Sequence, residues 1–108
     1  VGSQAFRNMN RLKELKLPKC TVFTDKSYLF QNCSSLTLID AKNLKELGNP
    51  ANGGFCFSGI KIGCQINVNV ALKTINAGGP DAALLDAKNN RGAIVKFYDD
   101  NGNYISTL

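Results

Sequence analysis

The chain has 108 residues, 44% of them hydrophobic and 19% charged, which suits one globular domain. No run approaches the roughly 18 apolar residues that a membrane-spanning helix needs. There is no His and no Trp, so triads, general bases and metal sites built on imidazole are excluded, while a formal charge of +5 leaves contact with phosphate open.

The chain opens on VGSQAFRNMN, which has no apolar targeting segment, so any such segment is expected to have been removed or to lie outside this sequence. Much of the excess charge comes early, at Arg7, Arg11, Lys13, Lys16 and Lys19, against Glu14 alone. Such a cluster either meets nucleic acid or forms a solvated face.

An internal spacing organises residues 1–75. Phe6, Phe30 and Phe57 fall in one column, followed nine residues later by Leu15, Ile39 and Ile66, and eleven later by Leu17, Ala41 and Val68. Asn8, Asn32 and Gly59 stand two residues after each Phe. Leu12 and Leu36 stand six after theirs, where the third copy has Gly63 and a register degraded by about one residue. The unit is 22 residues, with insertions of two and five at a single point. An LxxLxL pattern at this length predicts an α/β leucine-rich-repeat solenoid, with short parallel strands in about three stacked repeats. Val1 begins directly at a repeat start, so the stack is expected to be a fragment of a longer array, able to self-associate through an uncapped end.

After Val68 the pattern fades. Gly78-Gly79-Pro80 is punctuation, and Asp81 to Asn89 reads as a short helix that Gly92 ends. Ala93 to Tyr98 and Tyr104 to Leu108 read as strands joined by the turn Asp99-Asp100-Asn101-Gly102-Asn103. Residues 76–108 are therefore expected to cap the repeats with a helix and a β-hairpin, or to form a small appended module.

The segments VGSQAFRNMNRLKELKLP and FQNCSSLTLIDAKNLKELG resemble the BspA-like bacterial surface-antigen repeats, most specifically through Phe30, Asn32, Cys33, Ser35, Leu36 and Ile39. The resemblance covers about two-thirds of the chain and weakens in the third copy. It implies a curved repeat sheet on a secreted or cell-surface bacterial protein, with adhesion or protein binding as its role. It brings no catalytic residues.

Four cysteines, Cys20, Cys33, Cys56 and Cys64, show no CxxC spacing and share no column, so buried free thiols lead over a disulfide (Cys56–Cys64 or Cys20–Cys33) and over a metal site. Asp99-x-Asn101-x-Asn103 echoes a calcium loop, but Tyr104 stands where Gly is required, and a hairpin turn explains the same residues. Asn32-Cys33-Ser34 matches a glycosylation sequon, although a turn role for Asn32 suffices.

The candidate binding surface is the outward sheet face, in the rows Glu14, Leu38, Gln65, then Lys16, Asp40, Asn67, then Pro18, Lys42, Asn69. Lys16 and Asp40 are expected to pair across strands, and Tyr28, Tyr98 and Tyr104 could anchor an interface. The leading expectation is a non-enzymatic binding module with a protein or glycan partner, no cofactor, no catalytic residue and no metal ligand. A structural spacer or cap of a longer surface protein comes second, and nucleic-acid binding through the basic cluster third.

Overall fold

Apolar side chains at every second position, with turn residues between, produce short extended segments. In the computed structural model, which describes residues 6, 8–23, 29–47 and 57–108, the strands are β1 (Glu14–Lys16), β2 (Val22–Phe23), β3 (Leu38–Asp40), β4 (Glu46–Leu47) and β5 (Gln65–Asn69). A 3-10 turn, Val70–Lys73, leads to helix α1 (Ala82–Arg91), and the chain finishes with β6 (Ile94–Tyr98) and β7 (Tyr104–Thr107). One sheet has the order β1-β3-β5-β6-β7, and β2 and β4 form a separate two-stranded sheet. The β1, β3, β5 and β6 pairs are parallel, while β7 runs antiparallel to β6, with a register shift between Phe97 and Tyr98.

The register places Leu15, Ile39, Ile66 and Val95 side by side on one face. Val68 pairs with Phe97 on the same side. From Ile39 onward these residues are fully buried, and helix α1 closes over the core with Ala83, Leu84 and Ala87. Phe30 lies between Phe6 and Phe57, with near-parallel rings at 5.4 and 5.5 Å, and Phe23 meets it edge-on at 5.9 Å. Asn8 and Asn32 adopt left-handed backbone, at φ 66° and 61°, and Asn32 Nδ2 donates to Asn8 Oδ1 at 2.8 Å. Asparagine tolerates that region better than other side chains, which is why it can end two tight turns here.

The leucine-rich-repeat solenoid is not what forms. The protein is a small five-stranded mixed sheet with a two-stranded sheet beside it and, among the described residues, a single α-helix. In a solenoid each unit buries its apolar face only against units of its own kind. Here the third of the three similarly spaced strands is followed in the sheet by β6, and the core is closed by α1, β6 and an antiparallel β7. The common spacing aligns three strands along one flank of this sheet, so the terms leucine-rich repeat and solenoid do not describe the fold. The hairpin expected as part of a cap continues the same sheet through the β5–β6 pairing, and the helix packs into the same core. The proposed open end at Val1 lies outside the described residues.

The local expectations for this last segment can be compared directly. The helix spans Ala82–Arg91 rather than 81–89, because Asp81 is its N-cap: its Oδ1 accepts from the Ala83 N–H at 2.8 Å. Gly92 ends it in left-handed conformation at φ 67°.

Candidate functional site

Alternation along β1, β3 and β5 turns Glu14, Leu38 and Gln65, and then Lys16, Asp40 and Asn67, to the face opposite the core, and strand pairing sets each trio side by side. Strand β6 adds Ile94 and Lys96 to these two rows and places Tyr98 beside Asn69. The candidate residues differ in exposure. Glu14 and Lys16 are open to solvent, whereas Leu38, Asp40, Lys42 and Gln65 are half-buried. Asn67 and Asn69 are buried, at 5% and 1% exposure, although sequence alternation put them on an open face.

Those two amides organise the site. Asn67 Nδ2 donates to Asp40 Oδ1 at 3.0 Å, while its own oxygen accepts from Gln65 Nε2 at 2.8 Å. Asn69 Nδ2 donates to Asp100 Oδ1 at 2.9 Å, and its oxygen accepts from the Ala71 N–H, capping the 3-10 turn. Each buried amide thus has donor and acceptor in use, as burial demands. Asp40 pairs with Lys42 at 3.9 Å rather than with the cross-strand Lys16, and Asp100 pairs with Lys45 at 3.0 Å. The Lys42 ammonium also sits 4.9 Å above the Tyr98 ring, which meets Tyr104 edge-on at 5.9 Å.

Between the carboxyl ends of β1 and β3 and the β6–β7 turn lies a cleft of about 300 Å³, lined by Pro18, Asp40, Lys42 and Asn43 on the sheet side and by Asp100, Asn101 and Gly102 on the turn side. A second cavity of about 450 Å³ shares Asp100 and is bounded by Lys45, Asn69, Val70 and Thr74. Hydrogen bonds from Lys45 and then Asn69 hold the Asp100 carboxyl below its usual range. The Asp99 carboxyl is also held low, first by the Asn103 N–H and then by that of Asn101, each at 2.9 Å. Asn103 Nδ2 binds its second oxygen at 3.3 Å, so the turn itself occupies the carboxylate that a calcium loop would need. Among the described residues no group of three or more His, Cys, Asp or Glu could hold a metal ion.

Sequence reasoning did not find Asn43, Asp100 or Asn101 as part of a site. Asn43 follows directly on the Lys42 row, which is a usable signal. Asp100 and Asn101 meet the sheet only through the long-range pairing of β6 with β5. Tyr28, Arg7 and Cys56 lie outside the described residues. Arg11, Lys13, Lys16 and Lys19 are all exposed.

Cys20, Cys33 and Cys64 are free thiols, so the Cys20–Cys33 pairing does not form. The Cys33 thiol instead contacts the Phe6 carbonyl oxygen at 2.9 Å. Burial raises the Cys33 thiol and pushes Cys64 up to about 12. In the unfolded chain Cys64 titrates near 9, so there the unfolded state loses a proton that the folded state keeps. Stability is therefore expected to fall as pH rises from about 9 toward 12. Urea midpoints measured along that range check this, and Cys64→Ala should flatten the decline. An equally steep decline in the variant would assign it to other groups.

No protein-family model matches the chain, and no curated protein or solved structure matches it. No helix among the described residues is long and apolar enough to cross a membrane. Neither the fold nor the comparisons support the terms cell surface, secreted or adhesion, which rest on the resemblance alone.

Proposed function

We propose that the chain is a non-enzymatic binding module that takes a protein or glycan partner on the outward face of the five-stranded sheet. One observation carries this reading. Two buried amides, Asn67 and Asn69, brace the charged groups Asp40 and Asp100 beside a cleft on a face that a merely solvated sheet would leave loose. Burying polar side chains has a free-energy cost that only satisfied hydrogen bonds offset, and the product here is a pre-ordered polar surface. Ile94 and Tyr104, exposed at 45% and 54%, supply apolar area next to it. The absence of His and the raised thiols of Cys33 and Cys64 argue for binding rather than covalent chemistry.

The test is binding by the full chain to a glycan array and to an immobilised protein library, repeated with variants. Ile94→Ala and Lys16→Glu, both on the outward face, are expected to weaken a captured partner by about tenfold or more. Lys88→Glu, on the exposed side of α1, should leave it unchanged. No ligand above background, or equal loss with Lys88→Glu, would favour a structural spacer. Binding to DNA that fades steeply with salt would favour the exposed basic cluster instead.

A further inference from the structure

We propose that the cleft between Asp40 and the β6–β7 turn is a site for a neutral, polyhydroxylated ligand, namely a sugar unit of a glycan. This rests on the binding-module reading and narrows it to one ligand class. At about 300 Å³ the cleft has the size of a small ligand pocket, at the lower end of the usual range. It also lies just beyond the carboxyl ends of the parallel strands β1 and β3, through Pro18, Lys42 and Asn43.

Charge selects the class. The two carboxylates around the cleft are each matched by an amine, Asp40 by Lys42 at 3.9 Å and Asp100 by Lys45 at 3.0 Å. An anion would face both carboxylates and a cation both amines, and at exposed, salt-screened pairs such as these neither charge gains much from the site. A purely apolar ligand is no better served, because the lining mixes apolar surface with the carboxylates of Asp40 and Asp100 and the amides of Asn43 and Asn101, whose polar atoms such a ligand would cover without partners. What remains is a neutral molecule that can both donate and accept at several points. A hydroxyl group does both.

The hydrogen-bonding inventory fits such a ligand. Asp40 and Asp100 each use Oδ1 toward the protein and leave Oδ2 without a protein partner among the described residues. Asn43 donates one N–H to the Pro18 carbonyl at 2.6 Å, which fixes its amide plane and leaves its oxygen and second N–H for a ligand. Asn101 lies exposed at the rim. A fixed planar group that offers a donor beside an acceptor matches two neighbouring hydroxyls on a ring. Asn67 and Asn69 hold the two carboxylates in advance of binding, which reduces the ordering cost that weakens small polar ligands.

The experiment is a ¹H–¹⁵N titration of the full chain with free glucose, galactose, mannose and N-acetylglucosamine, and in parallel with sialic acid and inorganic phosphate. The expected result is saturable shifts at Asp40, Asn43, Asn101 and Gly102 with at least one neutral sugar, unchanged between low and physiological salt. Asn101→Ala, at an exposed turn position that should not disturb folding, is expected to weaken that binding about fivefold to tenfold. Asn43→Ala should weaken it further, and Lys88→Ala, on the exposed side of α1 away from the cleft, should leave it unchanged. Shifts produced only by sialic acid or phosphate and removed by salt would overturn the sugar assignment. So would a partner from the array or protein library whose binding leaves the cleft resonances unmoved, although the binding-module reading would then stand. If neither the titration nor the array and library give any ligand, both fail.

Discussion

Phe30→Ala is expected to lower the stability of the folded chain by about 3–5 kcal/mol, the usual cost of emptying a buried phenyl site. Phe30 is fully buried and touches three other rings, stacked between Phe6 and Phe57 and edge-on to Phe23. Ring pairs in such geometry contribute about 0.5–1.5 kcal/mol beyond area burial, so the upper part of the range is the better expectation. A domain of this size is stable by roughly 5–15 kcal/mol in total, and the loss should appear as a fall in Tm of more than about 10 °C. Phe30→Leu, which keeps apolar volume but no ring, should be distinctly milder. Chemical denaturation of the three proteins is the measurement. A loss below about 1 kcal/mol for the alanine variant would mean that the phenyl stack is not the centre of the core.

Gly59→Ala carries the second large effect, for a backbone reason. Gly59 has φ +95°, a region that side chains rarely adopt. An added Cβ would stand 2.7 Å from the Asn32 nitrogen and 2.8 Å from the Phe30 oxygen, both backbone atoms that cannot swing aside. The strained conformation alone costs about 1–3 kcal/mol, and the collision adds to it. Asn32→Gly is the informative comparison. Asn32 sits at φ 61°, so glycine fits its backbone, and the variant loses only the exposed bond to Asn8. It is expected to change stability by less than about 1 kcal/mol. Equal midpoints for Gly59→Ala and the unaltered protein would show that this turn rearranges freely.

Both effects fall on one column of the sequence, where Phe and the residue two places later recur. That column was legible because its causes are local: a turn that needs left-handed backbone selects Asn or Gly, and a ring inserted beside it stacks on the next one. The cross-strand rows from Glu14 to Gln65 and from Lys16 to Asn67 were legible for a related reason, since equal spacing gives equal register. The candidate site was legible only in part. Asp40 and Lys42 were found from those rows, but Asn67 and Asn69 were placed on open surface because alternation reports direction and not cover. What covers Asn69 is the hairpin turn, through Asp100, far along the chain.

The local conformations of the second half were equally readable from sequence. Asp81 before an alanine-rich run and Gly92 after it are capping chemistry, and Asp99 to Asn103 is a turn whose side chains satisfy their own backbone. The placement of that half was not readable. Val95 and Phe97 repeat the alternation of Ile66 and Val68, yet nothing local told β6 to pair with β5 instead of capping a stack. Backbone hydrogen bonds between strands are nearly indifferent to side chain, so partner choice depends on which apolar faces the whole chain must close.

The opening arithmetic of 108 residues, +5 charge and no His therefore bounds the chemistry, and the sequence alone determined the local forms of strands, helix caps and turns through short-range sterics and hydrogen bonds. The tertiary structure alone decided that these pieces make one mixed sheet rather than a solenoid, because α1 and β6 share the core that repeats would have closed among themselves. It also decided where the site lies, since only the pairing of β6 with β5 carries the Asp100 turn to the ends of β1 and β3.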